Sequence, residues 1–306
     1  MPLMLDGPYC QDEAMDSSYS NKISGKTKQH KMLQDMESAQ KLQTLKAQYT
    51  KMWDAEYSQL DDITSWRTNT NVPGLNTIDA SYIKTPYCEE LPAPAKAAGP
   101  HFGLMIACDG YSMGRGLLEF WQMVVRENVT VITSFNESFK RHGGSWFEVF
   151  QYFPLDTELK FSIKNTYSIK AISKTKTNGT FTRILSIRDF ETYEELHQVK
   201  HIHFKVWDDF DVPSEENTPE LMAVLQEQAD LIMEQVEGMK KGLVANPQKV
   251  LMHCLAGRGR TGTALAILNA MITIQGQLKA SADLSQAKLS VFSIVRRLRE
   301  QRATAV

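Results

Sequence analysis

The stretch Lys249–Ala264, KVLMHCLAGRGRTGTA, places a cysteine and two arginines where an apolar run gives way to a glycine-containing loop. Its first residues predict a buried strand and its last residues a helix, so the loop joins the end of a strand to the start of a helix. Backbone N–H groups and the partial positive charge of a helix N-terminus converge at such a place and favour an oxyanion. The pattern predicts a phosphate-binding loop.

Cys254 and Arg260 are the residues of this loop whose chemistry fits a phosphoryl group. Oriented amides and the helix terminus stabilise a cysteine thiolate, which is a nucleophile at neutral pH. The planar fork of Arg260 can fold back over the loop and hold two phosphoryl oxygens. Gly257 and Gly259 permit backbone conformations that turn N–H groups inward. Together these residues predict attack of a thiolate on phosphorus.

The run HCLAGRGRTG, from His253 to Gly262, resembles the signature loop of protein tyrosine phosphatases at every fixed position. The resemblance implies a phosphocysteine intermediate on Cys254, with His253 and Thr261 in supporting positions. It also implies a set of phosphate-binding residues, namely Leu255, Ala256, Gly257, Arg258, Gly259 and Arg260.

The segment Trp207–Pro213, WDDFDVP, resembles the mobile Trp-Pro-Asp loop of the same family. Asp209 takes the position of the general acid, Trp207 frames the loop, and Asp208 stands where the family has proline. A carboxylic acid is needed because the leaving phenoxide must be protonated as its P–O bond breaks, and the same carboxylate can then activate water.

Further segments resemble landmarks of the family in the right order, from about residue 50 to the C-terminus. They are WDAEYSQL at 53–60, DASYI at 79–83, FWQMVVRENVTVIT at 120–133 and QYFP at 151–154. The resemblance implies an α/β fold, a central twisted mixed β-sheet flanked by helices. The segment Ser65–Asn76, where the family carries its phosphotyrosine loop, contains no tyrosine.

Apolar spacing supplies an independent prediction of the elements. Residues 1–27 lack apolar periodicity and are predicted to be flexible, whereas 28–306 are predicted to form a single phosphatase domain that begins with a helical extension over Gln29–Leu60. Strands are predicted at 80–83, 101–108, 129–135 and 249–252, antiparallel strands at 167–172, 181–187 and 201–206, and helices at 117–126, 219–243, 261–274 and 289–302.

The C-terminal stretch Leu298–Arg302, LREQR, resembles the helix end after which the family places a glutamine-bearing loop. The sequence ends at Val306, before that loop. Either the sequence is truncated there, or hydrolysis lacks the water-positioning group of the loop, in which case we expect slow turnover and an accumulating Cys254 adduct.

Charge and cysteine content limit the function classes. The 34 basic and 36 acidic residues give a net charge of −2, which excludes a general footprint for nucleic acid. No apolar run is long enough for a membrane span. The four cysteines form no Cys-x-x-Cys pair, so we expect a reduced, cytoplasmic compartment and neither a metal nor a cofactor.

Two alternatives to a tyrosine phosphatase stay open. Arg258 adds a second cation to the loop, at a position where phosphatases of inositol lipids often carry a basic residue, and this favours a phosphoinositide phosphatase. The altered Trp207-Asp208-Asp209 favours a non-catalytic phosphotyrosine-binding protein. The expected partner is a phosphotyrosine-containing protein, and the oligomeric state is left open. The short loops resemble bacterial members of the family, which adds the hypothesis of an effector translocated into a host cell.

Overall fold

The computed structural model describes residues 71–87, 103–110, 114–137, 139–140, 149–157, 160–281 and 287–306 except 303, with isolated positions at 283 and 285 and between 40 and 51. The chain divides into two compact units, Met1–Ile63 and Thr64–Val306. At its isolated described positions the first unit is helical. Most of the predicted helix over Gln29–Leu60, including the motif at 53–60, lies outside the described residues, and the predicted domain boundaries stay a prediction.

The second unit is built on an eight-stranded mixed sheet and a separate pair of short strands. The strand order in the large sheet is β1-β2-β10-β3-β9-β8-β7-β6, and β4 pairs with β5. The strands are β1 (Ala80–Ile83), β2 (Met105–Asp109), β3 (Val129–Ser134), β4 (Phe139–Lys140), β5 (Val149–Phe150), β6 (Lys160–Ile163), β7 (Tyr167–Thr177), β8 (Thr180–Asp189), β9 (Glu195–Phe204) and β10 (Lys249–Cys254).

The middle of the sheet is parallel and both of its faces are covered. Strand β10 runs parallel to β2 on one side and to β3 on the other, and β3 runs parallel to β9. Every residue of β10 is buried, as a near-continuous apolar run in a parallel strand requires. Because the carboxyl ends of parallel strands meet at one edge, the residues that follow these strands share that edge of the sheet.

The other half of the sheet is an antiparallel meander of long strands. Strands β7 and β8 meet in a tight hairpin in which Thr177 pairs with Thr180, and Asn178 in the turn takes a φ of 47°. Asparagine tolerates this left-handed conformation better than most residues, which explains its place in the turn. Strand β7 extends to Thr177, beyond its predicted end at 172, and its exposed outer half pairs in register with β8.

Among the described residues, four helices cover the two faces of the sheet. They are α1 (Leu117–Arg126), α2 (Thr218–Lys240), α3 (Gly259–Ser281) and α4 (Val291–Gln301). Residues of α2, α3 and α4 share one apolar core with one face, whereas α1 packs in a second core on the other face. The structure confirms the predicted α/β class, a central mixed sheet between helical layers.

Local chemistry sets the helix ends. The hydroxyl of Ser290 accepts a hydrogen bond from Ser293 N–H and caps α4, and Pro219 stands in the first turn of α2. Helix α3 runs past its predicted end at Ile274 and continues through Gly276 to Ser281. A Cβ at Gly276 would lie 2.3 Å from the ring of Tyr87, so this glycine serves close packing. None of the described helices is long and apolar enough to cross a bilayer.

Candidate active site

Cys254 is the last residue of β10 and lies at the carboxyl edge of the parallel strands. It pairs in register with Asp109 of β2 and is only 3% exposed. Hydrogen bonds from the neighbouring strands hold the chain on either side of it: Phe135 N–H donates to His253 C=O at 2.9 Å and Gly110 N–H to Leu255 C=O at 2.8 Å. The backbone of the cysteine is therefore fixed by the sheet.

The phosphate loop, which we define as Cys254–Arg260, joins β10 to α3 as the sequence predicts. Gly257 has a φ of +65°, and a Cβ there would lie 2.1 Å from Cys108 C=O, so only glycine fits. Gly259 is the first residue of α3, and its φ is not left-handed. A Cβ at Gly259 would have no atom of another described segment within 4 Å. The special backbone conformation thus belongs to Gly257 and not to both glycines.

Arg260 is buried, and its guanidinium contacts the acid loop, which we define as Trp207–Pro213. Its Nη1 donates to Trp207 C=O at 3.1 Å, and its Nη2 pairs with Asp209 Oδ1 at 3.1 Å. The Nε of Arg260 and the hydroxyl of the buried Thr261 have no hydrogen-bond partner among the described residues. Buried donors without partners are costly, and a bound oxyanion would satisfy them.

The acid loop has one buried anchor and an exposed tip. Trp207 is 2% exposed, packs edge-on against Phe135 at 5.4 Å between ring centroids, and donates from Nε1 to Asp211 C=O at 2.8 Å. Phe210 is fully exposed with a φ of 61°. The side chain of Asp209 is 44% exposed even while it pairs with Arg260. The predicted acid is therefore held at the phosphate clamp and remains open to solvent.

Arg302 supports the phosphate loop from behind. This buried side chain donates from Nε to Gly257 C=O at 2.5 Å and from Nη2 to Ala256 C=O at 3.1 Å. Its Nη2 also pairs with Asp79 Oδ2 at 3.4 Å. Arg302 belongs to the motif LREQR and Asp79 to the motif DASYI, but the sequence alone assigned no role to either residue. The carbonyls of Gly257 and Ala256 thus accept hydrogen bonds from Arg302. The amides of the loop remain available to bind an oxyanion.

Behind the cysteine lies a buried hydrogen-bonded row of His201, Tyr152 and His253. The hydroxyl of Tyr152 is 2.7 Å from Nε2 of each histidine. Burial lowers the pKa of His253 to about 3 and holds the pKa of His201 well below its usual range. Both rings are therefore neutral at pH 7. Sequence reasoning placed His253 in a supporting position but missed Tyr152, which belongs to the recognised segment QYFP.

Arg258 stands apart from these contacts. Its side chain is half-buried, and it forms no ion pair with any carboxylate that the structure describes, whereas its backbone carbonyl accepts from Gly262 N–H at 2.6 Å. The described residues contain no group of His, Cys, Asp or Glu side chains arranged to hold a metal ion.

Comparison with known proteins agrees with this geometry. A family model described as protein-tyrosine phosphatase matches residues 65–306, and the chain belongs to this family. The chain is 28% identical over 194 residues to the human tyrosine-protein phosphatase non-receptor type 9, a match that covers 61% of this chain and 29% of the relative. It is 25% identical over 233 residues to human non-receptor type 20, covering 75% of this chain and 45% of the relative.

A viral protein is also similar. Tyrosine phosphatase H3 of Microplitis demolitor bracovirus is 27% identical over 155 residues, which cover 50% of this chain and 44% of that protein. The chain therefore spans less than half the length of each of these relatives. A solved structure titled "Structural basis of PTPN18 fingerprint on distinct HER2 tyrosine phosphorylation sites" shares the fold, with a TM-score of 0.52, 20% identity, and coverage of 75% of this chain and 68% of that chain.

Proposed function

We propose that this protein hydrolyses phosphotyrosine in protein substrates through a phosphocysteine intermediate. The observation that carries the proposal is the pairing of Arg260, six residues after Cys254, with both Trp207 C=O and Asp209. A phosphate clamp, a general acid and a nucleophile then belong to one site. Family membership supports the same reaction class.

The reaction has two steps. In the first, the thiolate of Cys254 attacks phosphorus, the P–O bond to tyrosine breaks, and Asp209 gives its proton to the phenolic oxygen. The phosphoryl oxygens replace the Asp209 carboxylate on the Arg260 fork, because bidentate contact with a dianion is stronger than one exposed carboxylate contact. In the second step, Asp209 takes a proton from water, the water oxygen bonds to phosphorus, and the S–P bond breaks.

A pair of variants tests this proposal. In Cys254→Ser we expect no measurable turnover of a phosphotyrosine peptide with binding retained, because serine is not ionised at neutral pH. In Asp209→Ala we expect kcat to fall about 10²- to 10⁴-fold while the peptide still binds, because the leaving phenoxide is no longer protonated. Turnover by stopped-flow phosphate release and affinity by calorimetry check both outcomes.

Asp208→Ala is the matched control, since this neighbouring carboxylate is exposed and pairs with no cation among the described residues. We expect its kcat to stay within about threefold of the wild type. Wild-type turnover in Cys254→Ser, or equal losses in Asp208→Ala and Asp209→Ala, would refute the assignment.

A phosphoinositide phosphatase is the second candidate, favoured by the half-buried Arg258 without a described carboxylate partner. Extra headgroup phosphates would pair with that cation. If this candidate is right, Arg258→Ala loses activity on phosphoinositide vesicles and keeps it on phosphotyrosine peptides. Binding of peptide without phosphate release would instead indicate the non-catalytic phosphotyrosine-binding protein.

We infer a cytoplasmic site of action. The described cysteines, Cys108 and Cys254, are both free thiols, which suits a reduced compartment. The hypothesis of a translocated bacterial effector stays a prediction.

A further inference from the structure

Four cations surround a single aromatic ring on the antiparallel half of the sheet. The ring is Phe181 of β8, which is half-buried. The distances from its centroid are 5.4 Å to Arg183, 5.5 Å to Lys176, 5.7 Å to Lys174 and 5.9 Å to Lys205. We call these five residues the basic cluster. An aromatic face attracts cations, but it does not offset the mutual repulsion of four of them.

A β-bulge in β7 creates the cluster. Ala171 pairs with Leu185 and Ser173 pairs with Ile184, so Ile172 is an extra residue in the ladder. One inserted residue reverses which side chains face each side of the sheet. Without it, the lysines of the sequence SKTKT would lie on the opposite face from Phe181. With it, Lys176 stands opposite Phe181.

The charges of the cluster are only partly compensated. Lys174 pairs with Asp156, an exposed contact. Lys176 and Lys205 are exposed and form no ion pair with a carboxylate that the structure describes. Arg183 is 3% exposed; its Nε donates to Leu155 C=O at 3.1 Å.

Arg183 also carries a buried donor that is not satisfied. Its Nη1 has no hydrogen-bond partner among the described residues. In addition, Lys174 stands directly opposite Arg183 across the two strands, a like-charge pairing that destabilises a sheet. A site with this excess of positive charge gains stability when an anion binds.

The cluster lies at the same edge of the sheet as the catalytic loops. Lys205 follows the end of β9 and comes two residues before Trp207, whose carbonyl accepts from Arg260. Val206 lies between Lys205 and Trp207 and contacts the turn of the β7–β8 hairpin, since a Cβ at Gly179 would lie 2.0 Å from Val206 Cγ1. Two residues of extended chain span about 7 Å, so the cluster is within reach of a peptide that occupies the active site.

From this placement we infer that the basic cluster binds acidic side chains of the substrate that flank its phosphotyrosine. The inference rests on the proposed function and adds to it a substrate class: phosphotyrosine within a run of aspartate or glutamate. Carboxylates two to four residues from the phosphotyrosine reach Lys205 first and Lys176 beyond it, because an extended peptide advances about 3.3 Å per residue. An anionic membrane is the competing ligand, but the protein as a whole carries a net charge of −2, and the cluster adjoins the acid loop.

The test measures binding in the Cys254→Ser background, so that turnover does not enter. Fluorescence anisotropy compares phosphotyrosine peptides whose neighbouring positions are glutamate with the same peptides carrying serine. The cluster variant is Lys176→Gln with Lys205→Gln. The control is Lys160→Gln with Lys164→Gln, which removes the same charge from exposed lysines. Lys160 pairs with Lys170, which is six residues or roughly 20 Å along β7 from the substituted Lys176. Lys164 precedes the first residue of β7, at the end of the strand away from Lys176.

We expect the cluster variant to bind the acidic peptides about fivefold more weakly and the serine peptides within twofold of the parent. The control variant should keep the preference for acidic peptides, and 0.5 M salt should remove it in the parent, because the Debye length then falls below about 5 Å. Equal losses on both peptides, or none, would overturn the inference. So would a cluster variant that loses only its binding to phosphatidylserine vesicles. Wild-type turnover of the serine peptide tests the proposed function separately.

Discussion

The phosphate loop and the acid loop meet at Arg260 but are held in different ways. Arg302 bonds two carbonyls of the phosphate loop, and the neighbouring strands bond the chain beside Cys254. The acid loop depends on one buried anchor, Trp207, and its Phe210 and Val212 are 101% and 75% exposed. In the proposed reaction, the nucleophile needs amides that are fixed before substrate arrives, whereas the acid must leave Arg260 to admit a phosphoryl group. The difference in support follows from this difference in task.

The largest expected effect concerns the residue that the two loops share. Arg260→Lys keeps the charge but loses the fork that contacts Trp207 C=O and Asp209. We expect kcat for a phosphotyrosine peptide to fall about 10²- to 10³-fold, the typical loss of an oriented donor in an active site. Arg296→Lys on the exposed surface of α4, where Arg296 pairs with Glu300, is the control and should be near wild type. A loss below tenfold in Arg260→Lys would mean that charge alone suffices.

The support behind the phosphate loop is the next target. Arg302→Ala leaves the carbonyls of Gly257 and Ala256 without their donor, and we expect a loss of roughly 3 kcal/mol in the free energy of unfolding, together with reduced kcat. Urea unfolding should show a lower midpoint with an unchanged slope.

Asp79→Ala is the matched comparison for Arg302→Ala. The side chain of Asp79 is 44% exposed and pairs with Arg302 at 3.4 Å, so screening limits its contribution to under about 1 kcal/mol. If the two variants were equally unstable, the ion pair and not the carbonyl contacts would hold the loop.

The smallest effect concerns two buried histidines, His203 of β9 and His253 of β10. Burial lowers the pKa of His203 to about 4 and that of His253 to about 3, from the ordinary histidine value of 6.5. At pH 6.5 and below, these two histidines therefore bind protons in the unfolded chain, whereas in the native state they are still neutral. Stability is complete above pH 6.5 and falls as the pH drops toward about 4.

His203→Gln tests this dependence while keeping a donor for Asn136 C=O, which lies 2.6 Å from His203 Nε2. Between pH 7 and pH 5 the wild type should lose about 2 kcal/mol per buried histidine in the free energy of unfolding, and the variant should lose about 2 kcal/mol less than the wild type. Urea titrations at the two pH values measure the difference. An unchanged pH dependence in the variant would show that His203 is protonated in the native state.

Sequence reasoning predicted much of this fold because its signals are local. The apolar run Lys249–Met252, the helix pattern at 117–126 and the alternating strands between 160 and 205 all appear as elements. Its errors concern contacts between distant residues. The helix predicted to end at Ile274 runs on to Ser281, and Gly276 within it packs against the ring of Tyr87. The glycine requirement was assigned to Gly259 as well as Gly257, whereas of these two only Gly257 lies against the Cys108 carbonyl.

The sequence by itself indicated the protein tyrosine phosphatase family and predicted Cys254, Arg260 and Asp209 as site residues, because the signature loop and the segment WDDFDVP are each one contiguous run. Only the tertiary structure decided what holds that loop. Arg302 and Gly257 are 45 residues apart in the chain, and Tyr152 and His253 are 101 apart. It also decided that a bulge in β7 turns two lysines toward Phe181. Contacts between distant segments depend on sheet register and packing, which no local pattern of residue types specifies.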